Sequence, residues 1–478
     1  MKKFSLILLL AFAIISALNS CDKDDSNNSE TSEIQVLSTS PTDGETDVPS
    51  GTNQAEITYN QDISYSVING SVTVNGEKAS FSKEGNNKLK ITGFTVKPGN
   101  TYKIVVTAGT VVGYDKEFTF SFSGKTITTS GEIKTTAINS SNTNVQKVYE
   151  FLYQNYGKKI ISGAMATNTL PQAEADLVKE ATGKYPAMLT FDFIFSNLTS
   201  ERSSWEQASI YQKDENIAIY ENHWKAGGIV SACWHLNAPP SELAAAYNQV
   251  NNSDISWNAK TDGFSAANAT KDGCWEKEFL DFSLEIVAKD LKIYKDKDIP
   301  VVWRPFHEAA GHNGNYNQYG WFWWGKSGAE AYVKLWKYMF DYFKNKGLDN
   351  LIWVWNTQYS NTTPLDYDWY PGNDYVDIVA CDIYEKTAAE CAEQYALLTE
   401  IWSDKIIALS ENGSIGNISQ IWNEGGTFSY FMPWYTYDES NSGGILTDLN
   451  KSIHAKTAWW EDAANCENVI FREDMPGW

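Results

Sequence analysis

Eight short apolar runs, separated by stretches with helical spacing, occupy residues 144–478. They are Ile160–Met165, Ala187–Phe193, Gly228–His235, Val301–Glu308, Leu351–Thr357, Val376–Tyr384, Ile406–Glu411 and Phe428–Tyr435. Between them, apolar residues recur at helical intervals. Examples are Val145, Val148 and Leu152 before Gly157, and Phe279, Phe282, Ile286 and Val287 before the Asp-Lys stretch at 296–298. Strands that are apolar along most of their length need cover on both faces, which helices around a parallel sheet supply. Eight such units over this length fit a closed α/β structure, the (β/α)8 or TIM barrel. A doubly wound open sheet is the rival, but no glycine-rich phosphate turn follows any of the strands.

Residues 36–123 have a different texture, with short alternating runs divided by turn residues. Ala55–Tyr59, Ser71–Val74, Lys88–Ile91, Tyr102–Val106 and Glu117–Phe122 read as half-buried strands. Pro41…Gly44, Asn75-Gly76 and Pro98-Gly99-Asn100 read as turns between them. Five or more such strands make a small all-β sandwich. The segment from Pro41 to Pro49 and the Asn75-Gly76 hairpin resemble bacterial Ig-like domains. This domain holds no Trp, so a spacer is expected in preference to a sugar-binding platform. A polar stalk at 21–35 precedes it, and a linker at 124–143 rich in Thr, Ser and Asn follows it.

The first 20 residues read as an address. Lys2 and Lys3 precede an apolar run from Leu6 to Ala17, too short to span a bilayer. Leu18-Asn19-Ser20-Cys21 resembles a bacterial lipobox, with Asn19 a loose fit, which would make Cys21 the lipidated first residue. Asp22-Lys23-Asp24-Asp25 resembles the surface-export tag of Bacteroidetes lipoproteins. The expected location is therefore the cell surface, anchored to the outer membrane through lipid. Five other cysteines remain, Cys233, Cys274, Cys381, Cys391 and Cys466, an odd number whose spacings match no zinc pattern. Cys233 and Cys381 lie inside apolar runs and read as buried packing thiols.

Acidic residues number 60 against 38 basic ones, a net charge of -22, which argues against nucleic acid as a partner. Aromatic residues make up 14% of the chain, with 19 Trp. A core does not require so many Trp, so some of them are expected to line a groove suited to sugars.

In a barrel of this kind the chemistry sits at the C-terminal ends of the strands. Those ends read, in order, Asp192, Trp234-His235, His307-Glu308, Trp355-Asn356, Asp382 with Tyr384, Glu411, and Trp434. Only the fourth and seventh strands stop on Glu. Three steps apart in a ring of eight, Glu308 and Glu411 face each other across the barrel mouth. A lone Glu reads equally well as a surface charge or a structural ion pair. Two of them facing across an aromatic groove are what glycoside hydrolysis requires. The run His307-Glu308-Ala309-Ala310-Gly311-His312 is no zinc-peptidase helix, because its His residues are five positions apart, about 140° around a helix.

Trp303-Arg304-Pro305-Phe306-His307-Glu308, followed by Trp321-Phe322-Trp323-Trp324-Gly325, resembles glycoside hydrolase family 26. Trp234-His235-Leu236-Asn237, Asp382-Ile383-Tyr384 and Ser410-Glu411-Asn412-Gly413 recur in the order of that family's motifs, and the resemblance covers all of 144–478. It implies a retaining β-1,4-mannanase with Glu308 as acid/base and Glu411 as nucleophile. It further implies that Arg304, His307 and Tyr384 support the nucleophile, that His235 contacts the sugar, and that Trp434 forms a stacking floor. Asp382 and Tyr384 share one strand parity, as do Arg304 and Glu308, so each pair is able to point into one site. His307 has the opposite parity and needs a bend near Pro305. One departure is the twelve residues between Glu308 and Trp321, where the family has a shorter link. It leaves open whether Trp321 or Trp323 reaches the cleft, and suggests a loop at the rim.

The expected activity is internal cleavage of mannan, galactomannan or glucomannan by double displacement, by a monomer. Alternatives are the same mechanism on mixed-linkage glucan or xylan, release of mannobiose from chain ends, or a non-catalytic glycan-binding surface lipoprotein. Retention of both Glu308 and Glu411 argues against the last. No cofactor and no metal is indicated.

Overall fold

The computed structural model of the chain describes residues 33–46, 48, 52–68, 70–94, 96, 100–124, 141–167, 172–194, 196, 214–242, 263–311, 322–358, 367–438 and 444–478. Cys21 with the signal segment, most of the stalk, most of the second linker, and residues 312–321 including Trp321 lie outside the described residues.

Among the described residues the N-terminal unit has seven strands: β1 (Val36–Ser40), β2 (Gln54–Tyr59), β3 (Val72–Val74), β4 (Glu77–Glu84), β5 (Lys88–Thr92), β6 (Thr101–Val106) and β7 (Phe118–Ser123). They pair antiparallel in the order β1-β2-β5-β4-β3-β6-β7. The start of β4, Glu77–Ala79, pairs with β3, whereas Ser80–Glu84 pairs with β5. This strand therefore passes from one layer to the other, and inward residues of both layers (Ile57, Leu89, Ile91, Ile104, Phe120 and Phe122) share one core. β4 is absent from the sequence reading because nearly all its residues are polar and exposed, which leaves no alternation to read.

The second unit is a barrel of eight parallel strands. These are β8 (Ile160–Met165), β9 (Met188–Asp192), β10 (Ile229–Trp234), β11 (Val301–Pro305), β12 (Leu351–Gln358), β13 (Ile378–Tyr384), β14 (Ile406–Gly413) and β15 (Tyr430–Pro433). They are arranged in chain order, and Tyr430 and Phe431 of β15 pair with Ile161 and Ser162 of β8 to close the ring. The fold is thus the TIM barrel that the alternation of runs implies, behind an all-β domain. Among the described residues the helices of the barrel are α1 (Thr143–Asn155), α2 (Ala173–Thr182), α3 (Asp214–Lys225), α4 (Trp275–Asp296), α5 (Ala329–Asn345), α6 (Ala388–Ile401), α7 (Ile418–Asn423) and α8 (Thr457–Asn465).

Local chemistry fixes their ends. The Asn142 side chain accepts from the N–H groups of Asn144 and Val145 at the start of α1. Thr387 and Glu390 form a capping box that starts α6 directly after the strand carrying Asp382 and Tyr384. Among the described residues no helix is long and apolar enough to cross a membrane.

Trp234, Trp303, Trp323, Trp324, Trp336, Trp355 and Trp460 are fully buried, so these seven belong to the barrel core and not to a groove. The indole is the largest apolar side chain, and it fills the wide space between strands and helices. The five cysteines after Cys21 are all free thiols, with Cys233, Cys381 and Cys391 buried.

Candidate active site

β14 carries one residue more than both of its neighbours at the level of Ser410. Cys381 pairs with Leu409, but Asp382 pairs with Glu411, and on the other side Leu409 and Asn412 meet Phe431 and Pro433. Such a bulge re-aims the side chains beyond it. Here it brings Glu411 level with Asp382 at the rim of the barrel. Arg304 reaches both from β11: Nη1 donates to Asp382 Oδ2 at 2.9 Å, and Nη2 forms a short bond to Glu411 Oε2. The Tyr384 hydroxyl donates to the other oxygen, Glu411 Oε1, at 2.6 Å. Both oxygens of Glu411 are thereby held, and the residue is 7% exposed.

Burial opposes the charge on Arg304, but Asp382 and Glu411 more than offset it, and the guanidinium stays charged. Burial pushes Asp382 up to about 7 against the pull of Arg304, with the charge of Glu411 adding to the rise. Burial and then Glu411 push the Tyr384 phenol well up, so it remains a hydrogen-bond donor.

Glu308 is placed by a break in β11. The strand ends at Pro305, and Phe306 and Glu308 take left-handed backbone angles, φ 47° and 54°. Continuous extended geometry would have sent His307 away from the site; these two turns supply the bend its parity required. The Tyr332 hydroxyl on α5 holds the Phe306 carbonyl at 3.0 Å, and Trp324 Nε1 holds the His307 carbonyl at 2.8 Å. Gly325 packs so closely that a Cβ there would lie 1.9 Å from the Ala309 carbonyl oxygen, so the Trp323–Gly325 turn presses directly on the loop bearing Glu308. A carboxylate oxygen of Glu308 lies within 4.8 Å of one from Asp382 and one from Glu411.

His307 does not bond to Glu411, where support for the nucleophile was expected. Its Nε2 lies 3.1 Å from His235 Nε2. Asp192 accepts from both the main-chain N–H and the Nδ1 of His235, which fixes a proton on Nδ1. His235 Nε2 is then the acceptor and His307 Nε2 the donor. Burial, Arg304 and His235 together hold His307 well below the ordinary imidazole range, so it is neutral. With both ring nitrogens of His235 engaged, it reaches a sugar hydroxyl only by giving one up. Its ring stands edge-on to Trp434 at 5.8 Å and to Phe322 at 5.4 Å. Trp434 is half-buried, directly after β15, with its main-chain N–H on the Asn412 carbonyl at 2.9 Å.

Arg304, Asp382, Tyr384, Glu308 and Glu411 therefore converge, with His235, His307 and Trp434 beside them. Trp323 does not join them. It is fully buried, its Nε1 donates to the Leu236 carbonyl at 2.7 Å, and its ring packs on Phe264. A large apolar residue one position from the groove reads the same in sequence as one inside it.

Residues that sequence reasoning passed over include Asp192 and Asn356, which stand at strand ends but were given no role. Ser410 stood only as part of the Ser410–Gly413 motif, with no role of its own, and His454 left no signal. His454 sits edge-on to Tyr384 at 5.4 Å, and a Cβ on Gly413 would strike both rings. Among the described residues two groups have the residue types of a metal site: Glu308, Asp382 and Glu411, and Asp192, Cys233 and His235. In the first, the guanidinium of Arg304 already occupies the position of positive charge. In the second, Asp192 is committed to His235, and burial pushes the Cys233 thiol well up, away from the thiolate a metal needs.

Residues 138–460 match the family described as Glycosyl hydrolase family 26, and residues 30–124 match the bacterial Ig-like domain. Among solved structures, the GH26 domain of an endo-β-mannanase/endo-β-glucanase from Prevotella bryantii is 34% identical. It covers 71% of this chain and 98% of that one, with a TM-score of 0.61. A β-mannanase from a symbiotic protist of the termite Reticulitermes speratus is 31% identical, covering 73% of this chain and 99% of that one, with a TM-score of 0.56. Mannan endo-1,4-beta-mannosidase B of Piromyces sp is 32% identical over 63% of this chain and 48% of its own length. The chain spans about half the length of the curated relatives it matches. With the family match covering the whole barrel and its site, the chain belongs to glycosyl hydrolase family 26.

Proposed function

We propose that the barrel hydrolyses internal β-1,4 linkages of mannan, galactomannan or glucomannan, with retention of anomeric configuration. Glu411 attacks the anomeric carbon while Glu308 gives its proton to the departing glycosidic oxygen, leaving a covalent glycosyl ester. Water then attacks the same carbon, Glu308 takes its proton, and the ester bond to Glu411 breaks. Arg304 and Tyr384 orient Glu411 for attack, and Trp434 offers a face on which a sugar ring stacks.

One observation carries this reading. Glu411 is gripped at both oxygens from strands β11 and β13, while Glu308 stands across the mouth with an oxygen within 4.8 Å of it. An oxygen-to-oxygen approach this short agrees with the carboxyl separation of about 5–5.5 Å at which retaining enzymes attack directly. The relatives named mannan endo-1,4-beta-mannosidase support the substrate class. Reducing-sugar release across mannan, galactomannan, glucomannan, xylan and mixed-linkage glucan tests it. The three mannans should be cleaved with rapid loss of viscosity and mixed early oligosaccharides. Mannobiose as the sole early product would mean attack from chain ends.

The remaining features complete the proposal. Cys21 behind Leu18-Asn19-Ser20 serves as a lipid attachment point, and the polar stretch to residue 35 lifts the enzyme off the outer membrane at the cell surface. The Ig-like unit, taken as 36–123, spaces a catalytic domain beginning at residue 144. The enzyme acts as a monomer on polymers too large to cross the membrane.

A further inference from the structure

We infer that Asn356 and Ser410 form a positioning relay that fixes Glu308 through its main chain and ties it to Asp382. The inference rests on the reading of Glu308 as acid/base. Because β11 stops at Pro305, the main-chain N–H of Glu308 lies beyond the strand ladder, on a residue whose left-handed backbone is uncommon outside glycine. The Asn356 side chain takes that N–H, with Oδ1 at 2.8 Å. Asn356 stands on β12, the strand between those of Glu308 and Asp382, and is 2% exposed.

The polarity of the chain of bonds is fixed from its first member. A main-chain N–H only donates, so the Asn356 oxygen must face Glu308, and its NH2 group faces Ser410 Oγ at 3.0 Å. Ser410 then accepts from Asn356, and its single hydrogen is left for Asp382 Oδ1 at 2.8 Å, closer than the Cys381 carbonyl at 3.3 Å. Donation therefore runs one way, from Glu308 N–H through Asn356 and Ser410 to Asp382, which is itself bonded to Arg304. Ser410 is also the extra residue of the β14 bulge, so one residue both re-aims Glu411 and anchors the relay. Asn356 bonds the main chain of Glu308 directly and reaches Glu411 only through Ser410, Asp382 and Arg304, so a shift of Asn356 moves the acid more than the nucleophile.

This separation gives the test. A misplaced acid harms only substrates whose leaving group needs a proton. The kcat/KM of Asn356→Ala is expected to fall about 100-fold on mannopentaose and about five-fold or less on dinitrophenyl β-mannobioside, with the basic limb of its pH profile displaced. Ser410→Ala, which keeps the Asn356 oxygen but removes the hydroxyl that anchors its NH2 group, should show the same asymmetry in weaker form, and it decides the matter if Asn356→Ala fails to fold. Equal losses on both substrates with an unchanged pH profile would reduce the relay to a structural role and overturn the inference. Glu308→Ala is measured alongside: if it too lost both activities equally, the acid/base reading itself would fall.

Discussion

Asp382 stands directly opposite Glu411 on adjacent strands, because β14 has one residue more than β13 at Ser410. Two carboxyls at that separation repel, and Arg304 holds them together by bonding to each. The same guanidinium is both a structural tie between β11, β13 and β14 and the orienting group for Glu411.

Removing that tie should be costly. Arg304→Ala leaves two buried carboxyls without their cation and should lower stability by about 3–5 kcal/mol, read as a lower melting temperature by calorimetry. Arg304→Lys should recover little of it, since one ammonium does not reproduce the two-pronged geometry of a guanidinium. Wild-type stability in the Lys variant would contradict the bridging role.

Tyr384→Phe removes one donor from Glu411 and leaves the fold intact. Its kcat should drop by about 10²–10³-fold, with mannopentaose and dinitrophenyl mannobioside affected alike, because the nucleophile serves both. A loss confined to the poor leaving group would place Tyr384 with the acid instead.

Glu174 on α2 offers a test by pH. It is 3% exposed, its Oε2 has no partner, and burial pushes it up to about 8, with the Thr436 main chain as the one group lowering it. The folded state thus keeps its proton where the unfolded chain, ordinary near 4.5, has lost it. The unfolded state binds fewer protons in that window, so stability falls as pH rises from about 4.5 to 8 and levels off above it, by at most about 4–5 kcal/mol from this group. Glu174→Gln should flatten the decline, and its advantage over wild type in denaturation midpoint should grow between pH 5 and pH 8. A constant difference across that range would show that Glu174 titrates normally.

The eight strands were legible because apolar runs and helical spacing are periodic, and the two glutamates followed from where those runs stop. What escaped depends on single residues. The bulge at Ser410 leaves no pattern, since Ile406–Glu411 reads as an unbroken strand with or without it. The left-handed turns at Phe306 and Glu308 occur on residues that rarely adopt them, and the family resemblance pairs His307 with the nucleophile, whereas its ring bonds to His235. Burial of Trp323 was hidden for a different reason: a core position and a sugar platform select the same side chain. Asn356 and Ser410 act through hydrogen bonds between strands, and no spacing along the chain records those.

The proposed lipid anchor at Cys21 is tested separately. Cys21→Ala should release the enzyme from membrane fractions with unchanged specific activity on soluble galactomannan, because the cysteine lies far along the chain from the barrel. Continued sedimentation with membranes would defeat the lipoprotein reading.

The central claim is that Glu411 becomes covalently bound to the sugar. A dinitrophenyl β-mannobioside carrying fluorine beside the anomeric carbon slows hydrolysis of the glycosyl ester more than its formation, and so traps it. Peptide mass spectrometry of the inactivated enzyme should find one mannobiosyl group, on the peptide containing Glu411 and on that side chain. Label on Glu308, or inactivation without any covalent adduct, would contradict the account.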